Sequence, residues 1–266
     1  MGYDAGFLGL ELPLPASPTP VADVAALDYT HFSVILHRRR RLAELTAVCI
    51  DGSALVDVPR SDEWRLDPRV SPTEQAGPEL YASNPLDRGH LVRRRDPVWG
   101  PDADEANLDT FTYPNAAPQV NAFNQSKELW VGLEDHVLSF ADTSDLRVSV
   151  FTGPVFADDD QRYRGVQIPR RFWKIAAWSS AGSLACAAFL LDQGELLDAL
   201  DLPSALPSDT PPDLGPFRTF QLAVSQLTTL TGLGFAQLEA ADRFTPRPGL
   251  RVEDWSPLAS PADIRL

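Results

Sequence analysis

The chain alternates short apolar runs with polar, proline-marked stretches, and the period of each run assigns it. His31 to Leu36 and Leu45 to Ile50 are short and rich in β-branched residues, so they read as two antiparallel strands joined by the arginine run Arg38 to Arg41. Asp51-Gly52 then marks a turn. Phe123 to Phe140 carries Trp130, Leu133, Val137 and Phe140 at three- and four-residue spacing, widened by Leu129 and Leu138, which predicts an amphipathic helix. Asp145 to Phe151 alternates like a strand and stops at Gly153-Pro154. Phe172 to Trp178 and Leu184 to Leu191 predict a hairpin closed through Ser179 to Ser183. A strand at Phe217 to Val224 and a short helix capped by Ser225 follow.

The stretches between these runs carry no period. Residues 1–27 predict an extended segment over the domain surface, Asp57 to Ala82 a charged loop with short pieces, and residues 201–216 a proline-dense loop inserted within the domain. No internal repeat or composition shift divides the chain. The pattern therefore predicts one α+β domain over residues 1–266, with a largely antiparallel central sheet flanked by helices.

Composition narrows the function classes. With 44% hydrophobic residues, the 266-residue chain can bury a sizeable core. Its longest apolar run, Leu184 to Leu191, is too short to cross a bilayer, so no membrane partner is expected. The start, Met1-Gly2-Tyr3-Asp4, shows no basic stretch followed by an apolar one, and Gly6 breaks a myristoylation pattern; the default expectation is a cytoplasmic protein. Cys49 and Cys186 sit in apolar strand-like stretches and read as buried thiols. Without C-x-x-C or H-E-x-x-H, no zinc cluster is legible. A net charge of -14 opposes bulk attraction to a phosphate backbone. The positive charge is nevertheless clustered: Arg38 to Arg41, then Arg88 with Arg93 to Arg95, then Arg162, Arg164, Arg170, Arg171 and Lys174 hold thirteen of the 23 basic residues. Such runs form either a basic lane on an acidic surface or solvated strand ends.

The chemistry concentrates between Asp87 and Asp135. In Asp87-Arg88-Gly89-His90, a histidine able to take a proton from water lies two residues from a guanidinium able to hold a phosphate. Cleaving a phosphodiester also requires neutralising the charge that develops on the leaving oxygen. One Mg2+ ion meets that need, and it prefers oxygen ligands while keeping several waters. Asn124 and a carboxylate on the following helix offer such a set, leaving His90 as general base.

These residues recur in a familiar order. Asp87-Arg88-Gly89-His90-Leu91, Asn115-Ala116-Ala117-Pro118-Gln119, Phe123-Asn124-Gln125, Trp130, Leu133-Glu134-Asp135, Thr152-Gly153-Pro154, Phe172-Trp173-Lys174 and Thr231-Gly232-Leu233-Gly234-Phe235 together resemble the DNA/RNA non-specific endonucleases of the ββα-metal superfamily. The resemblance implies a ββα-metal motif and hydrolysis of DNA and RNA to 5′-phosphate and 3′-hydroxyl ends. It matches His90 to the general base, Arg88 to the phosphate-contacting arginine, Asn124 to the direct ligand of one Mg2+ ion (with Mn2+ as a substitute), and Glu134 to the carboxylate that holds metal-bound waters. It also leaves room for a homodimer and for an inhibitor or regulatory partner. Asp87 is assigned an orienting role.

One departure touches the metal site. Asn124 and Glu134 are ten residues apart, two more than in better-known members, and at roughly 100° per residue Glu134 would lie about 80° to one side of Asn124. Asp135 and Glu128 would sit nearer that face, so Asp135 is the alternative to Glu134. If Arg93 to Arg95 continue as an extended segment, alternation sends Arg94 to the side of His90 and to the substrate. The competing function classes are a catalytically silent nucleic-acid-binding protein of the same fold and a phosphodiesterase for a smaller substrate. His136 reads as a helix-surface residue, Trp130 as core, and Asp158-Asp159-Asp160 as a solvated turn rather than a calcium loop.

Overall fold

The computed structural model describes residues 2–121, 130–143, 146–200, 202, 218–245, 251, 254–258 and 263–265. Among these, twelve strands form: β1 (Val24–Tyr29), β2 (Phe32–His37), β3 (Leu42–Asp51), β4 (Leu86–His90), β5 (Ala116–Val120), β6 (Arg147–Val155), β7 (Arg162–Tyr163), β8 (Val166–Gln167), β9 (Arg171–Ser180), β10 (Ser183–Asp192), β11 (Arg218–Leu222) and β12 (Ser256–Leu258). Six α-helices accompany them: α1 (Pro78–Tyr81), α2 (Ala103–Asp109), α3 (Trp130–Thr143), α4 (Gly194–Ala199), α5 (Val224–Thr231) and α6 (Ala236–Ala241).

Eight strands build one antiparallel sheet in the order β1-β2-β3-β6-β9-β10-β11-β12. Every residue of β3 is buried, because the sheet is covered on both faces. On β9, Phe172, Ala176 and Trp178 face one core shared with Leu86, Ala117, Leu133 and Val137 of the β4, β5 and α3 layer. Trp173, Ile175 and Ala177 face a second core, covered by Phe7, Leu8 and Leu12 and by Leu227 and Leu238 of α5 and α6. This double covering explains why the central strands read as continuous apolar runs: neither face meets water, so no alternation is imposed.

The α+β architecture and the antiparallel sheet match the pattern in the sequence, and several local readings need correction. Strand β1 occupies Val24–Tyr29, so the irregular leading stretch ends before residue 27. That stretch also buries Phe7, Leu8 and Leu12 and does not simply run over the surface. The β9–β10 hairpin closes on the two residues Ala181 and Gly182, with φ of 51° and 79°, the left-handed pair that a tight turn between twisted strands requires. Helix α5 begins at Val224 with Ala223 as its N-cap, where the Gln226 side chain bonds back to the Ala223 N–H; Ser225 lies inside the helix. The predicted loop at 201–216 lies outside the described residues apart from Leu202.

The ribbon β4–β5 and the helix α3 form a ββα unit on the first core. Leu133, Val137, Leu138 and Ala141 anchor α3 to the sheet, and Phe140 meets Trp178 edge to face at 5.3 Å. Gly52 is needed here, since a Cβ at that position would lie 2.0 Å from the Ala141 carbonyl oxygen.

Candidate active site

The β4–β5 ribbon pairs Arg88 with Pro118, Gly89 with Ala117 and His90 with Ala116. Strand alternation puts Arg88 and His90 on one face and Gly89 on the other. The Gln119 side chain lies across Gly89, where a Cβ would stand 2.1 Å from its Oε1. Gln119 is fully buried, and both of its amide atoms lack a partner among the described residues. The glycine of the tetrapeptide thus makes room for a buried amide directly behind the histidine and arginine.

Three polar side chains fix this ribbon. The N–H of Leu91 donates to the Asn115 carbonyl at 2.9 Å, and the Asn115 side chain accepts from Val92 N at 2.8 Å while donating to Val92 O and Thr110 O, both at 3.0 Å. Gln193, at the end of β10, accepts from Val120 N at 3.0 Å and donates to Pro118 O and Pro169 O. Asn84 closes the entry to β4 by accepting from Leu86 N at 2.8 Å. Buried amides that satisfy main chain on two elements act as rigid pins, because breaking them would strand polar groups away from water. The ribbon is therefore held against the large sheet on a fixed mount.

His90 sits in an aromatic wall. Its ring lies 4.8 Å from that of Trp64, tilted by 56°, and 5.1 Å from that of Phe111, edge to face. The residue is half-buried, and its Nε2 is covered and has no hydrogen-bond partner among the described residues. Burial, followed by the positive charges of Arg60, Arg94 and Arg88 against the negative charge of Asp62, pulls the imidazole down to about 3. The ring is neutral across the physiological range. Arg88 is exposed, its guanidinium carbon 5.3 Å from the Trp64 ring, and Arg60 lies 5.4 Å from the Phe111 ring.

A second charged group lies between α3, the segment after β4, and the sheet. Glu134 is buried; its Oε1 accepts from Lys174 Nζ at 3.3 Å, and its Oε2 faces Arg93 Nε at 3.8 Å. Arg93 also pairs with Asp135, which is exposed. Lys174 is 1% exposed on β9, and burial pushes the nearby Asp96 carboxyl up to about 7. With both oxygens facing cations, Glu134 suits a role exercised through water, since direct ligation of a metal would compete with Lys174 and Arg93.

The expected residues are distributed as follows. His90 and Arg88 stand together on β4, and Glu134 and Asp135 are adjacent on α3 with different partners. Asn124 and Glu128 lie outside the described residues. Arg94 does not continue the strand: β4 ends at His90, the chain turns through Arg94 to Pro97, and Arg94 Nη1 donates to Val58 O at 2.8 Å and Asn107 Oδ1 at 3.1 Å. Its positive charge, after burial and Arg60, lowers the His90 imidazole. Among the described residues the clustered arginines and Lys174 do not form a continuous basic lane. Arg38, Arg39, Arg40 and Arg41 pair with Glu74, Asp23, Asp158 and Glu79, Arg170 pairs with Asp198, and Lys174 is in the core. Trp173 is fully buried, and Trp99 stacks on His31 at 3.5 Å and on Phe7 at 5.7 Å. Both cysteines are free and buried. Asp160 is buried and accepts from Ala157 N, so the aspartate run is only partly solvated.

Sequence reasoning missed Trp64, Arg60, Phe111 and Asp96. Trp64 falls in the aperiodic stretch Asp57 to Ala82, where no pattern gives a side chain a direction; only a tryptophan amid charges and prolines could have drawn notice.

A metal ion can be weighed against these donors. Among the described residues, no group of three or more His, Cys, Asp and Glu could hold one. The buried Glu134 carboxylate is nevertheless a hard oxygen donor, the chemistry that a small divalent cation held through water accepts.

Comparisons with known proteins bear on the family and the fold. A model of the DNA/RNA non-specific endonuclease family matches residues 11–242. The chain is 39% identical over 268 residues to the uncharacterized protein y4fB of Sinorhizobium fredii, an alignment that takes in 92% of this chain and 40% of that protein, so the chain spans well under half of that relative. A salivary endonuclease of Culex quinquefasciatus is 29% identical over 109 residues, covering 38% of this chain and 28% of that protein. In fold, the chain is similar to a chain in the crystal structure of the EndoG/EndoGI complex, with a TM-score of 0.59 at 20% identity over 80% of this chain and 88% of that one. The family is one of metal-dependent nucleases. With a family model over most of its length and the same fold in a solved relative, the chain belongs to the DNA/RNA non-specific endonuclease family.

Proposed function

We propose that the protein is a magnesium-dependent endonuclease that hydrolyses phosphodiester bonds of DNA and RNA with little sequence preference, leaving 5′-phosphate and 3′-hydroxyl ends. The observation that carries this reading is the pairing of Arg88 and His90 on one face of a pinned ribbon, with the His90 Nε2 without a partner among the described residues and the imidazole pKa lowered by burial. A neutral imidazole whose nitrogen has no protein partner among the described residues can take a proton from a water that reaches it. The cations that depress it also make it responsive to substrate: a phosphate that neutralises Arg60, Arg88 and Arg94 removes the repulsion and raises the basicity of His90 as it binds.

In this reading His90 is the general base and Arg88 the guanidinium that steadies the scissile phosphate, with Arg94 a second contact to the substrate. Asn124 would hold the ion directly, and Glu134, which faces Lys174 and Arg93, would orient its waters, with Asp135 as the alternative. When bound, magnesium supplies charge neutralisation at the leaving oxygen. Contacts made to phosphate and sugar account for the tolerance of both DNA and RNA. An inhibitor that covers the Arg88 face is a fitting partner, since the solved relative is described in a complex of EndoG inhibition.

The test is incubation with supercoiled plasmid and with RNA, in magnesium or in chelator. Cleavage of both in magnesium and of neither in chelator is expected; no cleavage in magnesium would reject the reading.

A further inference from the structure

Trp64 has a place in the site that the general base and the phosphate-binding arginine do not by themselves explain. Its chain neighbour Arg65 is stitched to the connection before β5: Arg65 N donates to Phe111 O and Tyr113 N to Arg65 O, both at 3.0 Å. The indole is thereby fixed against Phe111 at 5.5 Å and Tyr113 at 5.8 Å. Its remaining neighbours are Arg88, 5.3 Å from the ring, and His90, at 4.8 Å. Among the described residues, Trp64 is the one aromatic side chain in ring contact with both.

A role in positioning follows from what the two functional side chains would do without it. Arg88 is exposed and has no carboxylate partner among the described residues, so its long side chain would sample many rotamers. A ring face draws a guanidinium to one orientation. His90 needs the opposite kind of help: its Nε2 makes no hydrogen bond among the described residues, and the rings of Trp64 and Phe111 pack against the imidazole.

We propose that Trp64 is a positioning residue for phosphodiester cleavage, an indole plate that sets the spacing and orientation of the Arg88 guanidinium and the His90 imidazole. The inference rests on the roles given to His90 and Arg88 under the proposed function. A purely structural tryptophan would pack on Phe111 and Tyr113 alone; its loss would lower stability and leave the base and the rate per folded molecule unchanged.

The experiment compares wild type with Trp64→Phe, Trp64→Leu and Trp64→Ala in two readouts: the NMR titration of the His90 ring, and the pH profile of plasmid cleavage in magnesium. Besides Trp64, the groups that bear on that titration are Arg60, Arg88, Arg94 and Asp62. Trp64→Phe keeps a ring face and should retain most of kcat, whereas Trp64→Leu keeps bulk without a face and should lose about tenfold in kcat with a smaller change in KM. Trp64→Ala should lose at least as much and bring the His90 titration up towards its ordinary range. Equal kcat in the Phe and Leu variants, with a His90 titration unchanged in Trp64→Ala, would overturn the proposal. If Trp64→Ala does not fold, the Phe and Leu pair decides in the same way. Should wild type cleave nothing, the functional reading fails by itself, and the His90 titration still reports whether Trp64 governs the imidazole.

Discussion

Two arginine-rich regions that look alike in the sequence have opposite fates in the structure. Between β2 and β3, Arg38, Arg39, Arg40 and Arg41 each reach a carboxylate, with Arg38 2.6 Å from Glu74 and Arg41 2.9 Å from Glu79. In the second group, on and after β4, Arg93 is the one that does so among the described residues, joining Asp135 and Glu134, while Arg88 lies on Trp64 and Arg94 bonds to a carbonyl and an amide. The first run is spent on tying the β2–β3 turn to the segments around it. The second leaves Arg88 and Arg94 without a carboxylate partner among the described residues, next to a neutral histidine. A protein with a net charge of -14 can thus still present local positive charge at the proposed phosphate site, because Arg88 and Arg94 have no carboxylate partner among the described residues.

The sharpest way to break this contrast is to remove one arginine from each run. Arg88→Ala should lower kcat/KM for plasmid cleavage by about a hundredfold, as expected for a donor aimed at developing charge. If Arg38→Ala did the same, the division would be wrong. Next in size is the buried charge group. Lys174→Met leaves Glu134 in the core with Arg93 alone, and urea unfolding should show a loss of about 3 kcal/mol, the usual cost of stranding one partner of a buried pair. An unchanged midpoint would mean that Glu134 is hydrated.

A smaller effect is expected from pH. The imidazole of His90 is held down to about 3 in the folded protein, so as pH falls below the ordinary histidine value the unfolded chain takes the proton first and stability declines over that window. Asp96 works in the opposite sense, since its raised carboxyl favours the folded state as pH drops from about 7. The measurement is therefore the difference between wild type and His90→Gln: unfolding free energies at neutral and mildly acidic pH should fall more for wild type, and parallel curves would contradict the environment given to His90. The smallest effect belongs to Arg38→Ala, whose partly exposed pair with Glu74 should cost no more than about 1 kcal/mol and leave cleavage intact.

What could be read from the sequence follows the range of the forces involved. Strands β2, β3, β9 and β10 announce themselves because a run of branched and aromatic residues reports its own burial. Weakly marked β1 escaped because Ala25 and Ala26 dilute its alternation, although Ala25, Leu27 and Tyr29 do turn inward. The tetrapeptide at β4 was legible because Arg88 and His90 are two residues apart and alternation alone puts them side by side. Trp64, Phe111 and Asp96 were not, since what brings them to the site is the closure of long connections rather than local spacing. Lys174 shows the same limit: grouped by sequence with surface arginines, it is placed by β9 in the core beneath Glu134. The assignment of Asn124 falls outside the described residues and stays with the proposal.

The most direct test of the account is cleavage by His90→Ala in saturating magnesium, with and without added imidazole. A large loss of kcat that free imidazole partly restores is expected, with binding of plasmid retained. Undiminished cleavage by His90→Ala would contradict it.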